Sequence, residues 1–167
     1  MGMPGCGKST LGKKLSSKLN LNFIDLDDFI ENSVGKKISD IFEKGGEEAF
    51  RSIETLTLKK ICETNEPRVI ALGGGTPCKK ENLLLIKNNG ISVYIRMPLE
   101  AILSRIKQNP FSRPMFAGIN EMETREKLIF LIKEREPFYS SAEIITDGLD
   151  ADVEKLKIQI LSSKKIL

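Results

Sequence analysis

Leu11, Leu15 and Leu19 recur every four residues and so share one face of a helix that opens near Thr10. Phe23-Ile24 then runs into Asp25-Leu26-Asp27, which predicts a short strand over 22–25 that ends in carboxylates. A helix is expected from Leu26 to Glu31; Val34-Gly35-Lys36-Lys37 breaks it, and Ser39–Phe42 supplies another helical turn before Gly45-Gly46. From Glu47 to about Thr64, Ala49, Phe50, Ile53, Leu56 and Ile61 take the spacing of a core-facing helix. Arg68–Leu72 differs in kind: it is an apolar run bounded by Pro67 and Gly73, the pattern of a buried parallel strand. Helix, strand and helix follow at roughly 79–88, 91–96 and 98–107. Residues 108–121 interrupt the rhythm with Asn109-Pro110, Arg113-Pro114 and Gly118, and a loop this long in a compact domain is usually functional. A helix over about 122–137, a strand at Glu143–Ile145 and a helix from Ala151 complete the chain.

Strands alternating with helices specify an α/β fold: a parallel sheet flanked by helices on both faces, with ligands at the strands' C-terminal ends. The 167 residues, 40% hydrophobic and 29% charged, fit one domain over 1–167 with a substantial core. A net charge of +3 is too mild to argue for nucleic acid or a membrane surface, and no apolar run approaches a membrane span. Cys6, Cys62 and Cys78 have no ligand-like spacing, which argues against a disulfide framework or a zinc site and points to a reducing cytoplasm. Histidine is absent, so any acid–base chemistry must come from carboxylates, lysines or tyrosines.

Gly2-Met3-Pro4-Gly5-Cys6-Gly7-Lys8-Ser9 spells GxxxxGKS, a phosphate-binding loop. Its glycines let backbone N–H groups turn toward phosphate oxygens, Lys8 places a charge on the β/γ-phosphates, and the Ser9 hydroxyl can ligate Mg²⁺. The helix behind it directs its positive end at the same anion. Cys6 reads as an inert small residue inside the loop, with thiol-sensitive ATP binding as the alternative.

Four further groups carry candidate chemistry. Alternation along an extended segment turns Asp25 and Asp27 the same way, toward the loop; one suits Mg²⁺ and the other a hydroxyl nucleophile, unless Asp27 or Asp28 merely caps a helix. Arg51 and Glu54 share a helical face, either as a solvated pair or with Glu54 orienting Arg51 toward a substrate carboxylate. Gly73-Gly74-Gly75 after the buried strand costs backbone entropy beyond what a turn needs, which suits a ligand lying against the backbone. Arg113 in the long loop reads as a lid cation over a transferring phosphate, and Arg135, near the end of its helix, as a charge that satisfies the helix dipole.

Together, the loop at 2–9, Asp25-Leu26-Asp27, Phe50-Arg51-Ser52-Ile53-Glu54, Gly73-Gly74-Gly75, Arg113-Pro114 and Arg135-Glu136-Pro137-Phe138-Tyr139 closely resemble shikimate kinase, over essentially the whole chain. The resemblance implies a P-loop, nucleoside monophosphate kinase-like domain with a substrate-binding helical region at about 27–64 and a lid at about 108–121. It implies ATP-dependent phosphorylation of the 3-hydroxyl of shikimate, on the way to chorismate and the aromatic amino acids. It further implies that Asp27 binds the shikimate hydroxyls and acts as base or positioning group, and that Arg51 and Arg135 hold the carboxylate. The Gly73, Gly74 and Gly75 backbone lines the ring. Gly5, Cys6, Gly7, Lys8, Ser9 and Thr10 cradle ATP, Arg105 lies against adenine, Lys8 and Arg113 stabilise the transition state, and Ser9, with Asp25 through water, holds Mg²⁺. The enzyme is expected to be a cytoplasmic monomer acting on ATP and shikimate, with no nucleic-acid or membrane partner. Gluconate kinase or another small-metabolite kinase of the same architecture is the rival enzyme, and a nucleotide-binding module without catalysis the rival from another class.

One feature departs from the pattern. A phosphate loop ordinarily follows a buried strand, and here Met1 alone precedes Gly2. Relatives carry an apolar strand there, mid-sheet; without it two neighbouring strands lose ladder partners, at about 1–3 kcal/mol per buried unpaired group. The expectation is that a few apolar residues belong before Met1, and that a chain beginning at Met1 is poorly stable and binds ATP weakly.

Overall fold

Gly7, at φ 95°, turns the chain directly into α1 (Lys8–Leu19), which buries Leu11 and Leu15. The computed structural model describes residues 1–64, 66–108, 114–116 and 118–163. Asn20, at φ 54°, closes α1 and leads into β1 (Asn22–Asp25). Asp25 ends that strand and caps α2 (Leu26–Val34), its carboxylate accepting from Asp27 N. Gly35 terminates α2 in the left-handed region. The element α3 (Ile38–Cys62) breaks at Gly46 (φ 69°, ψ −174°), so the expected short turn and long helix abut across one residue.

β2 (Arg68–Ala71) leads through the glycine turn and a 3₁₀ turn at Thr76–Cys78 to α4 (Lys80–Asn89). β3 (Val93–Arg96) and α5 (Leu99–Gln108) follow. Residues 109–113 and 117 of the lid expected over 108–121 lie outside the described residues, and Arg113 with them; Pro114–Phe116 form a 3₁₀ turn. An Asn120–Glu123 capping box starts α6 (Glu121–Tyr139), which continues through Pro137 to Tyr139, two residues past the sequence expectation. β4 (Ile144–Asp147) and α7 (Val153–Leu161), capped by Asp152, complete the described chain.

Both strand pairings are parallel: β1 with β2, Asn22 opposite Arg68, and β3 with β4, Val93 opposite Ile144. Two helix layers flank the strands, α1 with α7 and α3 with α4. The sheet is therefore parallel and helix-covered as expected, but it stands as two pairs, with Met1 bonded to β3 between them. The strand ends at Asp25 and Ala71 and the start of α1 face one rim, where the polar residues gather.

Candidate active site

The glycine turn after β2 is the hub. A β-carbon at Gly73 would lie 2.9 Å from Thr76 Oγ1, 3.0 Å from Asp27 Oδ1 and 3.2 Å from Glu54 Oε1. One at Gly74 would meet Arg135 Nη1 at 2.9 Å and Pro4 at 3.3 Å, and one at Gly75 would meet Arg51 Nη2 at 2.5 Å. Each glycine is thus required by close approach, and each faces a different functional side chain. Asp27, Arg51, Arg135 and the phosphate loop converge on three consecutive residues.

Packing orders these groups before any ligand arrives. Glu54 is fully buried; it accepts from Arg51 Nη1 at 2.9 Å and from Thr76 Oγ1 at 2.6 Å. Arg51 also donates to Glu47 at 3.2 Å and stacks on Phe50, which fixes the plane of its guanidinium. Asn82 holds the Thr76 carbonyl from below. Tyr139, also fully buried, donates to the Gly74 carbonyl at 2.6 Å, one helical turn beyond Arg135. Burial raises Asp27 to about 6, the Asp25 and Glu54 carboxylates adding to it and Lys8 opposing.

Across the turn lies the phosphate loop. Gly5 and Gly7 take φ of 84° and 95°, in the left-handed region that glycine enters without steric cost. Lys8 Nζ donates to the carbonyls of Gly2 and Met3, each at 3.0 Å. Ser9 Oγ donates to Asp25 Oδ2 at 2.5 Å. These two oxygen groups suit Mg²⁺, which takes few protein ligands and keeps waters and phosphate oxygens. Among the described residues no group of three or more metal-ligating side chains forms. Arg105 Nη1 donates to the Gly5 carbonyl at 3.2 Å, and Cys6 is buried within the loop. A cavity of about 490 Å³ opens here, lined by Gly5, Gly7, Thr10, Arg105, Gly148 and Leu149.

One sequence argument needs correction. Asp25 and Asp27 do reach the same rim, but not by strand alternation, because Asp27 lies in the first turn of α2 and the helix cap is Asp25 rather than Asp27 or Asp28. Sequence reasoning gave no role to Tyr139, although it closes the Arg135–Tyr139 motif, and missed Thr76 and the Gly148-Leu149 wall. Gly148-Leu149 follows directly on the end of a strand, a position that could have been marked.

The shikimate kinase family model matches residues 4–163. The chain belongs to the shikimate kinase family. It is 41% identical to the shikimate kinase of Azobacteroides pseudotrichonymphae genomovar. CFP2 over 145 residues, covering 87% of this chain and 85% of the relative. It is 40% identical over 167 residues to that of Clostridium botulinum (strain Alaska E43 / Type E3), covering 98% of this chain and 96% of the relative. The fold matches the shikimate kinase of Bacteroides thetaiotaomicron with a TM-score of 0.85 at 29% identity, covering 100% and 96% of the two chains. It matches that of Acinetobacter baumannii, solved in complex with shikimate, with a TM-score of 0.80 at 33% identity, covering 96% and 88%. In this shikimate kinase family member, no helix among the described residues is long and apolar enough to cross a membrane.

Proposed function

We propose that this chain transfers the γ-phosphoryl group of ATP to the 3-hydroxyl of shikimate, giving shikimate 3-phosphate and ADP on the route to chorismate and the aromatic amino acids. The observation that carries the reading is the convergence of Asp27, Arg51 and Arg135 on Gly73–Gly75, directly beside Pro4 of the phosphate loop. Two guanidinium groups around one small ring suit a carboxylate, and a neighbouring aspartate suits its hydroxyls.

Each residue then has a defined task. Arg51, held by Glu54 and Glu47, and Arg135 grip the carboxylate, while the glycine backbone supports the ring. Asp27 accepts a hydrogen bond from the reacting hydroxyl and orients it toward the phosphate loop; its pKa of about 6 leaves it largely ionised at neutral pH. The loop amides and Lys8 neutralise charge on the transferring group, which is most of what phosphoryl transfer requires. Ser9 and Asp25 would hold Mg²⁺ on the nucleotide, supplying further charge neutralisation when bound. Arg105, with Thr10 and the Gly148-Leu149 wall, receives the nucleoside. Arg113, outside the described residues, is assigned to the lid by resemblance. We read the enzyme as a cytoplasmic monomer, as the family resemblance implies.

Coupled ADP-release assays with shikimate, gluconate and nucleoside monophosphates test the proposal. Shikimate alone should support turnover, and Arg135→Ala should raise its KM roughly 10- to 100-fold, the value of a charged hydrogen bond. Turnover with gluconate and an indifferent Arg135→Ala would overturn the assignment.

A further inference from the structure

The last turn of α6 carries Arg135 where the helix holds itself weakly. Pro137 has no N–H, so it cannot donate to the Lys133 carbonyl one turn back, and the ladder skips a rung beside the guanidinium. The path of residues 135–139 therefore depends on what the side chains of that turn grip. Tyr139 grips the Gly74 carbonyl. Glu136, one residue past Arg135 and about 100° around the helix, reaches β3 instead.

Both carboxylate oxygens of Glu136 are engaged there. Oε2 accepts from the Tyr94 hydroxyl at 2.6 Å. Oε1 accepts from Ser140 Oγ at 2.9 Å and from Arg96 Nη2 at 3.5 Å. Tyr94 is itself buried, and its ring packs on that of Tyr139 at 5.2 Å between centroids. Burial, and then Glu136, hold the Tyr94 hydroxyl above its usual pKa, so it remains a donor. A short bond from a buried phenol to a carboxylate is among the stronger side-chain ties, and this one joins a strand to the proline turn.

We propose that Glu136 is the positioning residue of Arg135: by tying the end of α6 to Tyr94 on β3, it sets where the guanidinium meets the glycine turn. The inference rests on the reading of Arg135 as an anchor for the substrate carboxylate. Glu136 on β3 and Tyr139 on Gly74 hold the turn from two directions, and between them Arg135 Nη1 comes within 2.9 Å of the place a β-carbon on Gly74 would take. Released from β3, the turn pivots on Tyr139 alone, and the guanidinium loses its aim.

The test is a double-mutant cycle read by the KM values for shikimate and for ATP in the ADP-release assay. Glu136→Ala should raise the KM for shikimate roughly 3- to 30-fold, and should add nothing further when Arg135 is already alanine. Glu136→Gln keeps an acceptor for Tyr94 and should hold that KM within about twofold of the parent value. Tyr94→Phe keeps the ring packing, removes the donor and should fall between the two. The KM for ATP separates positioning from general loosening. β3 also supports the nucleotide side, since the Gly148 N–H donates to Arg96 O at 2.7 Å and Gly148 lines the cavity there. A loosened β3 would raise both KM values, whereas a released Arg135 raises only that for shikimate. An unchanged KM for shikimate in Glu136→Ala, an equal rise for ATP, or a rise that persists beside Arg135→Ala overturns the proposal. Should Glu136→Ala fail to fold, Tyr94→Phe passes through the same cycle with the same outcomes. If Arg135→Ala itself leaves the KM for shikimate unchanged, the function proposed above falls and this inference with it. A raised KM there beside an unchanged one in Glu136→Ala overturns this inference alone.

Discussion

The glycine-turn wall, proposed above to bind the substrate acid, and the phosphate loop are held together in opposite ways. At the wall, side chains hold side chains: buried Glu54 takes Thr76 on one oxygen and Arg51 on the other, and Arg51 is gripped again by Glu47. At the loop, backbone geometry sets the shape, and Lys8 rests on the carbonyls of Gly2 and Met3 within its own turn. The wall is thus committed to one arrangement, because moving Arg51 would leave a buried carboxylate short of a partner. Lys8 rests on two carbonyls of its own turn, which it can exchange for phosphate oxygens. The specific substrate meets a rigid surface, and the general one meets a surface that reorganises. Asp27 stands where the two meet, with Gly73 on one side and Asp25 and Lys8 on the other.

Replacing Asp27 should break this arrangement most severely. Asp27→Asn removes the group proposed to orient the hydroxyl and should lower kcat roughly 10²- to 10⁴-fold in the ADP-release assay. Stability should move the other way. A carboxyl raised from 3.8 to about 6 binds its proton more tightly folded than unfolded, so its contribution is present below the unfolded value and lost as pH rises through about 6. At pH 7 the asparagine variant should therefore be more stable by up to about 3 kcal/mol in urea titrations, with a flatter stability profile between about pH 4 and 6. The parent kcat/KM should rise with pH and reach half its plateau near 6. Loss of activity without the gain in stability would mean that Asp27 is not strained by its surroundings, and the proposed junction would dissolve.

A smaller change separates the wall from the loop. Gly75→Ala would place a β-carbon 2.5 Å from Arg51 Nη2 and 2.8 Å from its Cζ, so the guanidinium must leave its position. The KM for shikimate should rise roughly 10- to 100-fold while the KM for ATP stays unchanged. An equal rise in both would show that the wall and the loop move as one body.

Local patterns in the chain carried the fold further than they carried the site. β1 was legible to the residue, since Asn22–Asp25 is a short apolar stretch ending in an acid that also caps the next helix. α6 was placed over about 122–137, two residues short, whereas the helix carries Pro137 in its last turn and continues to Tyr139, which reaches Gly74. For the site, Arg51 and Glu54 were readable from helical spacing. Thr76 was not: its hydroxyl matters only because α3 and the glycine turn, 22 residues apart in sequence, meet in space. Gly148 and Leu149 could have been marked as residues after a strand end, but not as neighbours of the phosphate loop, whose cavity they reach from the far end of the chain. Tertiary partners of buried polar groups leave no periodic trace.

Tyr139→Phe should have the mildest effect and yet bear most directly on how wall and loop are mounted. Its hydroxyl donates to the Gly74 carbonyl at 2.6 Å and lies 4.0 Å from Met3 Sδ, so it holds the turn at the point where the turn touches the loop. Its ring packs on Tyr94 at 5.2 Å between centroids and keeps that packing as phenylalanine. Removing the hydroxyl leaves one buried carbonyl without this donor, at a cost of about 1–2 kcal/mol in urea titration. If the hydroxyl serves only packing, both KM values stay where they were. If it fixes the turn against Arg135, the KM for shikimate rises roughly 2- to 10-fold and the KM for ATP does not. The second outcome is expected, because Gly74 is the one glycine of the three whose β-carbon would touch both Arg135 and Pro4. A turn released there drifts first from the guanidinium, which has solvent to move into, while Lys8, held by its own loop, keeps its grip on phosphate.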